Sequence, residues 1–436
     1  MTSWQTARIS CRLPKRSIGL RKIPAGAPAL SNNRFTIRKT RIRVLLFSAV
    51  LCRSLFAAPQ PVPQSADNTL STHPNILEST FKESVGDRAC QQCHREEFEA
   101  FSQTRHHLTS QLPEGRTIAG KFTAGQNTLT TFNPEVSFRM DESNGNFYET
   151  AILAKPGHKR TRTEQIGIVI GSGRKGQTYL YWKGDRLYEL PVSYWTELNT
   201  WVNSPGYVDG SADFDRAITP RCLECHASFF QTLGTAASGN HFSRVNFVLG
   251  ISCERCHGPG SEHVRRHQAA PERPAKEKPM APLTLKRERQ IEVCAQCHGG
   301  VGDLVAPAFS FRPGEQLSLY IKLQPPDPYA RIDVHGNQVA LLEKSRCFQA
   351  STDMTCSTCH DVHVAEQPAP SYSDRCITCH QPEKCPRFEK NNRQTATNCI
   401  DCHMPVQASN SLVLDFNDTR VKARVRNHWI RVYPAK

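Results

Sequence analysis

The sequence predicts a mainly α fold with much irregular structure and a small antiparallel β insertion. Three observations carry that expectation. A five-residue pattern, with cysteine in the first and fourth places and histidine in the fifth, occurs seven times. Only 38% of the 436 residues are apolar, which is low for a chain of this length. One stretch, residues 115–200, alternates apolar and polar side chains as strands do, whereas the patterns elsewhere are short and helical or lack a period.

The repeated pattern comes first. Its copies are Cys90-Gln-Gln-Cys93-His94, Cys222-Leu-Glu-Cys225-His226, Cys253-Glu-Arg-Cys256-His257, Cys294-Ala-Gln-Cys297-His298, Cys356-Ser-Thr-Cys359-His360, Cys376-Ile-Thr-Cys379-His380 and Cys399-Ile-Asp-Cys402-His403. This is the spacing at which c-type haem is attached. Two thiols one helical turn apart form thioethers with the vinyl groups of one porphyrin, and the histidine is carried under the ring to ligate the iron. A single copy could be a redox or zinc motif with an incidental histidine; seven copies leave little room for that. The expected cofactor is therefore covalently attached heme c, about seven per chain, with His94, His226, His257, His298, His360, His380 and His403 as proximal ligands. Porphyrins also make up for the shortage of apolar side chains, since each is a large flat apolar body. The interior is expected to be short helices and loops wrapped over cofactors, and the chain is not expected to fold without them.

The formal charge of +15 belongs to one end. Residues 1–66 carry twelve Lys or Arg and no acid, and the remainder has 43 basic against 40 acidic residues. Haem propionates would turn that small surplus negative, so nucleic acid is not indicated. The basic end reads as an export signal. Arg34 to Arg43 precedes an apolar run from Val44 to Cys52, too short for a comfortable membrane span. Ala57, Ala58 and Ala66 are the candidate cleavage positions, and an uncleaved anchor is the alternative. Haem of this type is attached outside the cytoplasmic membrane, so leader and motifs agree on a periplasmic location.

Four segments follow: a leader, 1–66; a first haem segment, 67–114; a β-rich insertion, 115–200; and a multihaem domain, 201–436. Glu96 to Thr109 has a helical apolar pattern. Strands are expected at Asn146 to Leu153, Glu164 to Ile170, Gln177 to Trp182 and Arg186 to Tyr194, with turns at Gly171–Gly176 and Lys183–Asp185. The Pro/Ala/Lys-rich run Ala269 to Pro282 reads as an exposed loop. Thr419 to Val432 alternates Arg420, Lys422, Arg424 and Arg426 with Val421, Ala423 and Val425, as one strand with a basic face. A solvated edge is the blander reading of that face and outweighs a docking patch.

Seven proximal histidines leave ten others, and few methionines compete with them. Bis-histidine coordination is the economical expectation, with low reduction potentials. The candidate distal ligands are His106 (with His107 as its neighbour), His263, His335, His363 and His428. His263 and His363 lie so close to motifs 3 and 5 that each would reach a neighbouring iron, which pairs the haems. His267 and His241 are weaker candidates, and His73 and His158 read as surface residues. Cys347 and Cys385 flank motifs 5 and 6 and are a candidate disulfide, with two separate thiols as the alternative.

The runs Cys253-Glu-Arg-Cys-His-Gly-Pro-Gly-Ser-Glu-His263, Cys356-Ser-Thr-Cys-His-Asp-Val-His363 and Cys399-Ile-Asp-Cys-His-Met-Pro405 resemble the multihaem cytochromes of the cytochrome c-554 family. That family is related to hydroxylamine oxidoreductase and the multihaem nitrite reductases. The resemblance covers roughly residues 86–436. It implies a mainly α multihaem cytochrome c fold with stacked haem pairs, and periplasmic electron transfer. It also implies that the histidine after Gly-Pro-Gly and the one three residues past a motif serve other haems, in favour of His263 and His363. The chain departs from the nitrite reductases in having no Cys-x-x-Cys-Lys. No tyrosine among Tyr320, Tyr329 and Tyr372 is singled out as the crosslinking residue of the oxidoreductases.

The leading expectation is a periplasmic electron carrier rather than a catalyst, exchanging with redox partner proteins, among them a membrane-bound quinol-linked complex. Two alternatives stand beside it. One is a respiratory reductase or oxidase of a small inorganic nitrogen or sulfur compound at a five-coordinate haem. The other is a haem-containing docking subunit of a membrane redox complex.

Overall fold

A computed structural model describes residues 83–234, 239–269, 280, 284–325, 337–388 and 398–434. The leader, His73, His335 and nearly all of the 269–282 run lie outside the described residues. Among those residues no helix is long and apolar enough to cross a membrane.

The expectation of a mainly α fold is not met: 26% of the described residues are helical and 30% are strand. The reason lies in the motif itself. Closing Cys-x-x-Cys-His needs a single turn, so motifs 3 and 7 form helices of only five residues, Cys253–His257 and Cys399–His403. The longest helix carrying a motif is Arg287–His298, at twelve residues. Seven motifs therefore contribute little helix. Meanwhile strands are not confined to residues 115–200, but recur between motifs 2 and 3 and after motif 7.

In chain order the first helices are α1 (Asp87–Gln91) and α2 (Arg95–Phe101). The helix expected to reach Thr109 stops at Phe101. Ser102 and Thr104 turn their hydroxyls back onto the carbonyls of Glu99 and Phe101, at 2.8 and 2.7 Å, competing with helix continuation. Ten strands follow: β1 (Ser110–Gln111), β2 (Thr128–Thr130), β3 (Val136–Ser143), β4 (Asn146–Lys155), β5 (His158–Gln165), β6 (Ile168–Ile170), β7 (Gly176–Lys183), β8 (Arg186–Glu189), β9 (Val192–Trp195) and β10 (Thr200–Asn203). The run expected at Arg186 to Tyr194 is two strands because Pro191, which has no N–H to give a ladder, sits between them.

These strands build two antiparallel sheets, one ordered β2-β3-β4-β5 and one ordered β1-β6-β7-β9-β10 with β8 on β7. Period-2 alternation puts Val136, Phe138 and Met140 of β3 on one buried face. There they share a core with Phe147, Tyr179, Tyr181, Tyr194 and Trp201 from both sheets. The other face of the larger sheet, with Ile168, Ile170 and Leu180, packs on α3 (Pro220–Glu224) and on the hairpin β11 (Ala227–Thr232) and β12 (Phe242–Leu249). The remaining helices are α4 (Cys253–His257), α5 (Ser261–Ala269), α6 (Arg287–His298), α7 (Gln338–Glu343), α8 (Arg346–Ala350), α9 (Ala369–Ile377) and α10 (Cys399–His403). Among them runs the short ribbon β13 (Gly302–Leu304) and β14 (Ile321–Leu323), and the last hairpin is β15 (Val406–Phe416) and β16 (Thr419–Arg426). That hairpin seats Leu412, Leu414 and Ala423 against Trp195 and Val202, joining the C-terminal end to the sheets. The basic strand expected to reach Val432 ends at Arg426, with Arg420, Lys422 and Arg424 exposed.

Candidate haem cavity

Each motif closes one turn. The amide of His94 donates to the Cys90 carbonyl at 2.8 Å, His360 to Cys356 at 3.0 Å, and His380 to Cys376 at 2.9 Å. Residues one turn apart share a face, so both thiols and the imidazole of a motif project to the same side.

Motifs 4 to 7 project their thiols and imidazoles into one cavity of about 2280 Å³, whose wall also takes Cys225 and His226 of motif 2 and Cys256 of motif 3. A pocket for one small ligand is typically about 300–1,000 Å³, so this space suits several large bodies rather than one. Eleven Arg or Lys line it against three Asp or Glu. Apolar space, paired thiols, imidazoles and a cationic rim for propionates together fit haem. Thiols of different motifs also lie near one another. Cys90 neighbours Cys253, Cys225 neighbours Cys297, Cys294 neighbours Cys356, and Cys376 neighbours Cys399. Cys256 lies within electrostatic reach of Cys294, and Cys359 of Cys379. Every motif is thus next to another.

Four of the five candidate distal histidines are brought opposite a motif histidine. Ring centres are 6.3 Å apart for His94 and His263, 5.9 Å for His257 and His363, 6.1 Å for His298 and His106, and 6.1 Å for His360 and His428. Two imidazoles ligating one metal from opposite sides, each with a metal–nitrogen distance of about 2 Å, hold their centres about 6 Å apart. His335 lies outside the described residues. Burial is the leading influence that pushes His298 and His428 down to about 3 and His360 to about 4, and it also lowers His106. These rings are neutral at neutral pH, the form that ligates a metal.

Of the weaker candidates, His267 has its ring 4.5 Å from His263. His241 is tied to Asp185 at 2.7 Å, and His158 accepts from Arg160 on the tip of β5. His107 packs on Phe101 with Asp87 3.6 Å from its Nδ1, while its neighbour His106 is the one that lines the cavity. Cys347 and Cys385 both line the cavity as free thiols, so the bridge expected between them is not formed in this structure.

Sequence reasoning missed the groups that orient the ligands. The Nδ1 of His226 pairs with the Thr109 hydroxyl at 2.9 Å, that of His403 with the Arg431 carbonyl at 3.0 Å, and that of His428 with the Arg426 carbonyl at 3.3 Å. Such bonds fix the ring and leave Nε2 for the metal. It also missed two carboxylates that dock motif 1 on motif 3. Glu254 accepts from the amides of Val85, Gly86 and Gly260, and Asp87 accepts from that of Cys253. The carbonyl partners carry no sequence signal. Glu254, inside a motif, was visible but had no reason to be chosen.

A family model described as cytochrome c554 and c-prime matches residues 89–130 and 196–258, which hold motifs 1, 2 and 3. The unmatched stretch between them holds β3 to β9. The multiheme cytochrome MtrA of Shewanella baltica is 25% identical over 196 residues, 42% of this chain and 45% of that protein. The dissimilatory sulfite reductase MccA of Wolinella succinogenes is 22% identical over 409 residues, 77% of this chain and 52% of that one. The chain thus spans about half the length of the curated relatives it matches. The crystal structure of the outer cell wall cytochrome OcwA superposes with a TM-score of 0.50 at 18% identity, over 80% of each chain, a likeness of fold. Attachment motifs, a cavity lined by them and these likenesses converge on a multihaem c-type cytochrome with covalently bound heme c.

Proposed function

We propose that this chain is an exported periplasmic cytochrome that carries electrons through seven haems, most of them held between two histidines. The observation that carries the reading is the set of four histidine pairs with centres 5.9–6.3 Å apart. In each pair one member belongs to a motif and the other comes from a distant segment. Haem iron supplies the reversible one-electron couple. The protein's own residues hold His106, His298, His360 and His428 neutral, orient His226, His403 and His428 through Nδ1, and bring the motifs near one another. The neighbouring thiols imply a route from motif 1 through 3, 4, 5 and 6 to motif 7, with motif 2 joined at motif 4. Redox proteins at either end would exchange electrons with it, a quinol-linked membrane complex among them.

EPR of the oxidised, haem-loaded protein tests the reading. The four irons held between paired histidines are expected to be low-spin and to dominate the spectrum, and mass spectrometry of the same sample is expected to show seven covalent haems. A dominant high-spin ferric signal would overturn it. The similarity to a dissimilatory sulfite reductase favours a second reading, reduction of a small sulfur or nitrogen oxoanion at a five-coordinate haem. Sulfite- or nitrite-dependent turnover that accompanies a high-spin signal selects that reading.

A further inference from the structure

Beside the main cavity lies a smaller pocket of about 200 Å³. Its polar wall is Arg105, Lys175, Glu366, Tyr372, Arg424 and Arg426. These residues come from four separate parts of the chain: the segment after α2, the β6–β7 turn, the region around α9, and β16. Arg105, Lys175, Glu366, Tyr372 and Arg424 also line the haem cavity, so the two spaces adjoin. Tyr372 has its ring 5.3 Å from the ring of His360, the proximal histidine of motif 5.

Four cations and one carboxylate, Glu366, line this wall, and Asp401 and Glu197 beside it pair with two of the cations, leaving an excess of one positive charge. Arg105 pairs with Glu366, and Arg426 with Asp401 at 2.8 Å. Lys175 holds the Arg424 carbonyl at 2.9 Å, with Glu197 at 3.6 Å, and Arg424 reaches the Val406 carbonyl at 3.1 Å. The Nε–H of Arg426 is buried with no hydrogen-bond partner, on a side chain that is only 11% exposed. A buried donor without an acceptor is costly, and so is a positive excess drawn together from remote segments. Both costs fall if an anion enters. The volume far exceeds the share of one water, about 30 Å³, and admits a carboxylate or a tetrahedral oxoanion.

We propose that this side pocket is an anion site, taking a carboxylate or a small inorganic oxoanion at the edge of the haem cavity. Two sources share that chemistry: a haem propionate from the adjoining cavity, and a free ion from solution. The inference rests on the haem reading only for the first of these.

The test uses the full haem-loaded chain, with Arg424→Gln, Lys175→Gln and the charge-preserving Arg424→Lys. Arg420→Gln, on the same strand outside the pocket, is the control. Isothermal titration with inorganic phosphate and with sulfate reads the free-ion source. Saturable binding by the parent, weakened about tenfold or more by either glutamine variant, supports the site and identifies a soluble ligand. Spectroelectrochemical titration reads the other source. No phosphate or sulfate binding, with the midpoint of one haem lowered in both glutamine variants and restored in Arg424→Lys, supports the site with a propionate in it. The fall is expected because removing a nearby cation favours the ferric state. Unchanged potentials together with no anion binding, or effects equal to those of Arg420→Gln, overturn the proposal. A dominant high-spin signal in the parent would instead count against the bis-histidine reading and leave the anion titration standing.

Discussion

Glu254→Gln should loosen the grip of motif 3 on motif 1 and free one distal ligand. The Oε1 of Glu254 accepts from the Val85 amide at 3.0 Å and the Gly260 amide at 2.8 Å, and Oε2 accepts from the Gly86 amide at 3.0 Å. Gly86 precedes α1, which leads to His94. Gly260 precedes α5, which carries His263. One carboxylate thus holds both strands of chain whose imidazoles stand 6.3 Å apart. Hydrogen bonds to a charged group are worth about 1.5–3 kcal/mol each, and this site is partly open to water, which favours the lower end. Glutamine keeps one oxygen for two of the donors without charge assistance, and turns an NH2 toward the third. The expected loss is about 2–4 kcal/mol, or roughly 30-fold to several hundred-fold in the population with the dock open, at about 1.4 kcal/mol per tenfold. In guanidinium titration the midpoint should fall by the corresponding amount. EPR of the ferric protein should gain a high-spin component from one haem, removable by adding imidazole. A variant with an unchanged midpoint and no added high-spin component would refute the reasoning.

Three further outcomes follow from other parts of the molecule. The rings of His106 and His298 stand at 89°, whereas the other three pairs stand at 26–31°. One haem should therefore give a strongly axial low-spin EPR signal, and His106→Ala should remove that signal alone. Glu149 lies fully buried in the sheet core, where desolvation pushes its carboxyl well above the usual range against one bond from the Val192 amide. Burial likewise raises Glu189 to about 7, opposed by Arg216. A carboxyl raised by folding binds protons more tightly in the native state, so stability should decline as pH rises from about 4.5 through 7 and beyond. Denaturant titrations across that range should show the slope flattened by Glu149→Gln; an unchanged slope would count against a protonated Glu149. Gly250 has φ +69°, and a Cβ there would sit 2.0 Å from the His107 carbonyl oxygen. Gly250→Ala should cost at least about 1–3 kcal/mol in thermal or chemical unfolding and disturb the signal assigned to His106.

What could be read from the sequence was local. Cys-x-x-Cys-His specifies its own turn within five residues, so the turns of all seven motifs were legible. The β4 and β7 strands were legible for the same reason: Asn146 to Leu153 and Gln177 to Trp182 alternate within their own length. The histidines that face the motif histidines were legible only as a short set of names. His263 meets His94 across 169 residues of sequence, and His106 meets His298 across 192, and no spacing rule encodes such distances. The orienting partners were less legible still, because the carbonyls of Arg426 and Arg431 belong to the backbone and look the same at every position.

The error over helix content came from treating a cofactor-rich interior as a helical one. A packed helix must bury a stripe several turns long, and short helices are marginal without it. A motif held by two covalent bonds and an iron has no such need, and one turn suffices. The rest of the chain is then at liberty to form the sheets. Those sheets also serve the cavity: the turn between β6 and β7 sends Arg174 and Lys175 to its wall, and Lys175 ties that turn to Arg424 of the last hairpin. Leu412 and Leu414 meet Trp195 and Val202 some 210 residues away, which is why the strands could be predicted while the surface they close against could not. The β-rich stretch that the family model leaves unmatched thus contributes cations to the haem wall, and substitutions at Arg174 or Lys175 would be felt at the haems.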